Sequence, residues 1–356
     1  MQADPDPSQS DLYLSIVIPA HNEERVIEGN IGIISDYLLE LLGGRQFEII
    51  VVDDGSLDST GTVLNNMAMN KPHVHVIHHR RNYGRGRALQ TGFEASKGQY
   101  VITLDADLSY SPDHIGKILA PLERGESDVV LASAYHPAGR IENVPFDRAL
   151  ISRLGNRILA YAVGRGLKTV TCVVRGYTRE VVDSLVLFSD GKDIHLEIIQ
   201  KARILGYRIL EVPANLKWLP VKRSNAAKGM SLGDLWQMSS RHLFFNFLFR
   251  PSSLFMIPIV ALSVITLVVT VQTIKGFCWM RGQMPDSTGL IGLYDVLREH
   301  MIWAKLSYGV WGLSLILLIQ FVSLLLMSKQ SNHYYDEMLR YFSRLESKMK
   351  SGRGDR

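Results

Sequence analysis

From Leu14 the chain alternates short apolar runs with longer amphipathic stretches. Leu14-Ser15-Ile16-Val17-Ile18 is a run of strand length stopped by Pro19, and residues 23–42 place their apolar side chains at helical spacing. Residues 47–52 predict a second strand, followed by a polar turn containing Ser56 and Asp58 and a helix that reaches Met69. Residues 73–78 and 100–104 predict two more strands, with a short helix over 87–96 between them. Further strands are predicted over 128–132, 169–177 and 207–213, and helices over 148–163 and 194–205. Strands and helices alternating at this spacing predict an α/β fold with a doubly wound, mostly parallel sheet. Ligands of such sheets bind outside the carboxyl ends of the strands.

Two later segments leave this pattern. Residues 251–274 and 306–328 carry no charge, and each exceeds the roughly 20 residues a helix needs to cross a bilayer core. The predicted organisation is a flexible N-terminus (1–13), an α/β domain (14–230), an amphipathic juxtamembrane helix (231–250), a first span (251–274), an extracytoplasmic loop (275–305), a second span (306–328) and a tail (329–356). In the tail Tyr334, Met338, Tyr341, Phe342 and Leu345 recur at helical spacing, a face suited to a subunit contact in a homo-oligomer.

Charge adds orientation. The formal net charge of +4 is too small to imply nucleic acid, but its distribution is uneven. Lys217, Lys222, Arg223, Lys228, Arg241 and Arg250 precede the first span, and Lys329, Arg340, Arg344 and Lys348 follow the second. This bias places both termini in the cytoplasm and the soluble domain against anionic headgroups. Residues 1–11 are acidic and polar, with no basic or apolar region of a signal peptide, which agrees with a cytoplasmic domain. Cys172 and Cys278 are too few and too far apart for a disulfide framework.

Chemistry gathers where the predicted strands end. Their carboxyl ends present Ala20-His21-Asn22-Glu23, Asp53-Asp54-Gly55-Ser56, Asn82-Tyr83-Gly84-Arg85-Gly86-Arg87 and Asp105-Ala106-Asp107, all facing one crevice. Two carboxylates one residue apart suit a hard divalent cation against a diphosphate. Asp53 can accept from a base or ribose, while Ser56 or Asp58 caps the next helix; the whole cluster is equally readable as a turn. The glycine-rich loop lacks the spacing of a dinucleotide fingerprint or a P-loop and reads as a phosphate cradle or as a plain basic turn. Arg140, Arg148, Arg153 and Arg175 are candidates for an acceptor phosphate. Glu197, on an apolar helical stretch, needs a partner, either in the site or in a structural ion pair.

Together these motifs resemble the family 2 inverting glycosyltransferases of GT-A fold, and among them the polyprenyl-phosphate glycosyltransferases of the dolichol-phosphate mannose synthase type. The carriers are Ile18-Pro19-Ala20-His21-Asn22-Glu23-Glu24, Val52-Asp53-Asp54-Gly55-Ser56, and Leu104-Asp105-Ala106-Asp107-Leu108-Ser109 with Pro112; Ile151-Ser152-Arg153 and Glu211-Val212-Pro213 fit the same pattern. The resemblance implies that Pro19, Ala20, Asn22, Glu23 and Asp53, with Asp54 and Arg85 beside them, surround a nucleotide sugar such as GDP-mannose or UDP-glucose. Asp105 and Asp107 would hold Mg²⁺ or Mn²⁺. Arg175 joins them as a catalytic candidate, and Ser133, Arg140, Arg153, Glu197, Lys222 and Arg223 are expected around the acceptor phosphate or the sugar. The implied reaction is inverting transfer of a hexose to a polyprenyl phosphate lipid.

Three departures fall in the acceptor half. Ser133-Ala134-Tyr135 stands where the family has Ser-Arg-Tyr, Cys172-Val173-Val174-Arg175 where it has Ser-Gly-Phe-Arg, and Trp218-Leu219-Pro220-Val221-Lys222-Arg223-Ser224 where it has Arg-x-x-Gly-x-Ser-Lys. Two alternatives stay open: a transferase or synthase extending a lipid-linked glycan or polysaccharide, and a non-catalytic membrane scaffold. Trp236-Gln237-Met238-Ser239-Ser240-Arg241 does not reproduce the Gln-x-x-Arg-Trp of processive synthases.

Overall fold

The computed structural model describes residues 12–144, 152, 153, 156, 166–217, 251–284 and 289–351. The chain divides into two compact units, Met1–His242 with Met338–Arg356, and Leu243–Glu337.

The first unit is built on a seven-stranded sheet of β1 (Leu12–Ala20), β2 (Gln46–Asp53), β3 (Val74–His78), β4 (Tyr100–Thr103), β5 (Val129–Ser133), β7 (Arg175–Thr178) and β8 (Ile209–Pro213), in the order β3-β2-β1-β4-β7-β5-β8. Neighbours pair in parallel except β7, which runs antiparallel to both β4 and β5. The central strands are apolar on both faces because helices cover both. Leu14, Ile16, Val17 and Ile18 of β1 and Ile49, Val51 and Val52 of β2 are fully enclosed. Helix α1 (Ile27–Leu42) presents Ile27, Ile31, Ile34, Leu38 and Leu42 to this core and ends on Gly43 in the left-handed region, a position a β-carbon would strain. Helices α2 (Thr60–Asn70), α3 (Arg85–Ala95), α4 (Asp113–Glu123), α5 (Arg179–Ser184) and α6 (Ile194–Leu205) complete the layers.

The strand order reverses between β1 and β4, which opens a crevice at their carboxyl ends. A small ribbon of β6 (Arg140–Glu142) paired with β9 (Asn215–Lys217) is tied to the chain after β4: Tyr110 bridges Leu216, and the Lys217 amide donates to the Ser109 carbonyl at 2.9 Å.

The doubly wound, mostly parallel fold is as expected; α4, α5, β6 and β9 are additional to the predicted elements, and several predicted bounds shift. The predicted strand 169–177 is a strand only from Arg175, because 169–174 is an irregular segment in which the Val170 and Cys172 carbonyls accept from the Arg175 side chain. The first helix begins at Ile27 rather than at residue 23, because the Glu23 carbonyl accepts the Val26 and Ile27 amides in a preceding turn. The third helix starts two residues early, at Arg85. The juxtamembrane helix 231–250 and most of the helix 148–163 lie outside the described residues.

The second unit contains α7 (Pro251–Gln283), α8 (Gly289–Trp303) and most of α9 (Lys305–Ser351). Phe255–Gln283 and Lys305–Leu339 are long and apolar enough to cross a membrane. Both outrun the expected spans, and the expected loop 275–305 is mostly helix. Polar side chains bond α7 to α9: Thr266 Oγ1 donates to Ser314 Oγ at 3.0 Å and Trp311 Nε1 to Thr270 Oγ1 at 2.9 Å. In an apolar solvent such hydrogen bonds hold helices together where the hydrophobic effect does not.

Candidate active site

The crevice is assembled by backbone pairing before any functional side chain is considered. Ala20 lies opposite Asp53 in register, and its carbonyl accepts the Asp54 amide at 2.8 Å. Asn22 takes the left-handed conformation and stitches the two strand ends together, its amide donating to Ser56 Oγ at 2.9 Å and its Oδ1 accepting the Leu57 amide at 2.8 Å. Asparagine is among the few residues that tolerate this backbone conformation. The Glu23 amide donates to Thr60 Oγ1 at 2.8 Å, so the Pro19-Ala20-His21-Asn22-Glu23 segment is locked onto the start of α2.

The two aspartates that end β2 are both buried and both engaged. Asp53 accepts the Ser56 amide at 3.0 Å and His78 Nδ1 at 2.9 Å. Burial pushes its carboxyl up, but the Ser56 and His78 hydrogen bonds more than reverse this and leave it below the usual range. Asp54 accepts the amides of Tyr83 (3.0 Å) and Gly84 (2.8 Å) and His79 Nδ1 (2.7 Å). Asp54 thus holds the glycine-rich turn. Asp54→Ala strands two amides and an imidazole, and is expected to cost about 3 kcal/mol of stability. A fall in melting temperature checks this role; unchanged melting would refute it.

The glycine-rich turn differs from a phosphate cradle. The amides of Gly86 and Arg87 donate to the Asp190 carbonyl at 2.7 and 3.2 Å. A β-carbon at Gly86 would lie 2.1 Å from the Ser189 carbonyl oxygen, and one at Gly84, which also needs positive φ, 2.5 Å from that of Asp190. These glycines admit the 189–191 backbone. The side chain of Arg85 instead reaches the crevice, with Nη1 3.7 Å from Asp105 Oδ1.

Asp105 and Asp107 follow β4 at the switch point. Asp107 Oδ1 accepts both the Ser109 amide (3.0 Å) and the Ser109 hydroxyl (2.6 Å), and Leu108 between them is held in the left-handed region. Asn30 on α1 donates to the Ala106 carbonyl at 2.8 Å and so fixes the peptide between the carboxylates. A leucine at positive φ is strained and persists only where the surroundings over-determine it. Burial pushes the Asp105 carboxyl up to about 6; Arg85 pulls it down and the Asp107 charge adds to the rise.

Other candidates separate by their contacts. Arg175 is fully enclosed, donating to the carbonyls of Cys172, Val170 and His195 at 2.7–2.8 Å. It ties the 169–174 segment to α6 and presents no face to solvent. Ser133 is enclosed against Thr169 Oγ1 at 2.8 Å. Glu197 forms a buried ion pair with Lys201 at 2.5 Å and accepts the Phe188 and Ser189 amides. In these three the hydrogen bonds and ion pairs are all to groups within the packed sheet–helix layers. Arg140 is exposed on β6, and the Arg153 guanidinium lies 5.8 Å from the centre of the Tyr135 ring. Lys222 and Arg223 lie outside the described residues.

Sequence reasoning did not single out Asn30, Ser109, His78 or His79 as organisers of the aspartates. Only the short serine spacing from Asp107 was a local signal; the rest are contacts between distant segments.

The glycosyl transferase family 2 model matches residues 15–186. The polyprenol monophosphomannose synthase of Mycolicibacterium smegmatis is 31% identical over 211 residues, covering 56% of this chain and 75% of that protein. The chain belongs to glycosyl transferase family 2. Other relatives are covered over less of their length. The dolichol-phosphate mannosyltransferase of Pyrococcus furiosus is 31% identical over 57% of this chain and 56% of its own, and the glycosyltransferase AglD of Haloferax volcanii is 29% identical over 59% and 33%. The family match ends before α6, so the paired apolar helices lie outside it.

Proposed function

We propose that this family 2 chain transfers a hexose, with inversion, from a nucleotide diphosphate sugar to a polyprenyl phosphate at the cytoplasmic face of a membrane. The observation that carries the reading is Asp105-Ala106-Asp107 at the switch point of the sheet, beside the ends of β1 and β2, in a chain with two helices long enough to span a bilayer. Names of the relatives support a lipid phosphate acceptor and mannose as one sugar. GDP-mannose and UDP-glucose are the donors to compare. The domain scheme of a cytoplasmic catalytic domain, two spans and a cytoplasmic tail belongs to this proposal and rests on the basic residues flanking the spans.

The donor set fits Mg²⁺ or Mn²⁺. Among the described residues no three His, Cys, Asp or Glu side chains converge on one point. Two carboxylates one residue apart suit a hard cation whose remaining ligands come from substrate phosphate and water. Asp105 and Asp107 would hold it, and when bound it neutralises charge developing on the diphosphate leaving group. The protein's own work is positioning. Pro19, Ala20, Asn22, Glu23 and Asp53 form the wall proposed for the nucleotide, and Asn30 and Ser109 fix the carboxylates before substrate arrives.

A phosphate monoester has its second pKa near about 6, so the acceptor is mostly dianionic at neutral pH and needs no strong base to attack the anomeric carbon. Arg140 and Arg153, with Lys222 and Arg223, are proposed for that phosphate. Membranes containing the protein are to be incubated with labelled GDP-mannose or UDP-glucose, polyprenyl phosphate and Mg²⁺ or Mn²⁺. The expected product is an organic-extractable labelled lipid. Label appearing only in a polymer or a preformed lipid-linked glycan would overturn the reading.

A further inference from the structure

The two carboxylates of the Asp105-Ala106-Asp107 turn are secured differently. Asp107 is pinned by its own chain through the Ser109 amide and hydroxyl. Asp105 instead faces a cation from another element, Arg85 at the first position of α3, with Nη1 3.7 Å from Oδ1. That separation is an ion pair without a hydrogen bond. The Arg85 side chain is 42% exposed, so its guanidinium can turn without disturbing the core. The backbone around it cannot respond to a ligand in the same way: the Tyr83 and Gly84 amides are held by Asp54, and the Gly86 and Arg87 amides by Asp190. A diphosphate reaching this turn therefore meets the arginine fork, and a guanidinium binds phosphate oxygens in bidentate fashion.

We propose that Arg85 is a resident counter-ion of Asp105 that changes partner during substrate binding. Without ligand it balances the Asp105 charge. A divalent cation taking up Asp105 repels the guanidinium, which transfers to the diphosphate arriving with that cation. This rests on the metal-diphosphate reading of the site. The consequence is thermodynamic: the cation alone binds against Arg85, and cation and nucleotide together relieve that repulsion. Each then raises the affinity of the other by the same factor.

The test uses the full-length protein in detergent. Mn²⁺ binding is followed by electron paramagnetic resonance without nucleotide, and UDP and GDP binding by calorimetry in saturating Mn²⁺. In Arg85→Gln, Mn²⁺ alone is expected to bind several-fold tighter, while the nucleotide binds at least tenfold weaker and the coupling between them shrinks. Arg85→Lys, which keeps the charge, is expected to retain the weak binding of Mn²⁺ alone, and Arg85→Met repeats the charge removal with a different side chain. Opposite shifts in the two affinities support the exchange. Mn²⁺ binding that is unchanged or weakened in both Arg85→Gln and Arg85→Met overturns it. A wild-type protein that binds neither Mn²⁺ nor nucleotide overturns the metal-diphosphate reading itself, which separates the two failures.

Discussion

Asp107→Asn is expected to reduce lipid glycosylation on the order of 10³-fold while leaving the fold intact. The substitution keeps an oxygen at Oδ1, so the Ser109 amide and hydroxyl retain their acceptor and the turn keeps its shape. What it removes is one negative charge from the pair proposed to hold a divalent cation. Loss of turnover with an unchanged melting temperature and unchanged far-ultraviolet circular dichroism would meet this expectation. Turnover within tenfold of wild type would remove Asp107 from the proposed metal site.

Asp105→Asn is expected to act in opposite directions on stability and activity. Its carboxyl is pushed up to about 6 from an ordinary value of 3.8. The folded protein therefore holds the Asp105 proton more tightly than the unfolded chain does. This favours the folded state fully below about pH 4 and is lost as pH rises through 6. At pH 8 in chelator the ionised side chain costs the fold up to about 3 kcal/mol, which the neutral amide avoids. Asp105→Asn should then melt several degrees above wild type at pH 8, with the gap closing toward pH 4, and should be inactive throughout. A variant that melts below wild type at pH 8 would contradict this account. Such a trade-off is expected where like charges are gathered for a ligand that supplies the opposite sign.

The acidic turn, the apolar strands and the two membrane-length helices were legible in the chain because each is written in consecutive residues. A strand buried on both faces must be apolar throughout, as in Leu14 to Ile18, and a spanning helix must avoid charge for its whole length. The α6 boundaries were legible for a similar reason: helical spacing begins near Asp193 and stops at Gly206, which adopts a left-handed cap.

The less legible features are relations between distant segments. Glu197 read as a carboxylate in need of a partner, and one was required by its burial, but the Lys201 pairing became definite only in the folded helix. Arg175 and Ser133 carry the residue types of an acceptor site. The antiparallel insertion of β7 between β4 and β5 turns Arg175 inward onto carbonyls, and Ser133 is enclosed against Thr169.

The chain alone, then, determined the alternation of strand and helix, the membrane-length segments and the identity of the acidic turn, because local pattern and burial leave few other solutions. Tertiary structure decided which polar groups remain available to a ligand. The glycine-rich turn shows the reason: its amides look free in sequence, but the Asp54 carboxylate takes those of Tyr83 and Gly84 and the distant Asp190 carbonyl those of Gly86 and Arg87, with the Arg85 side chain beside Asp105.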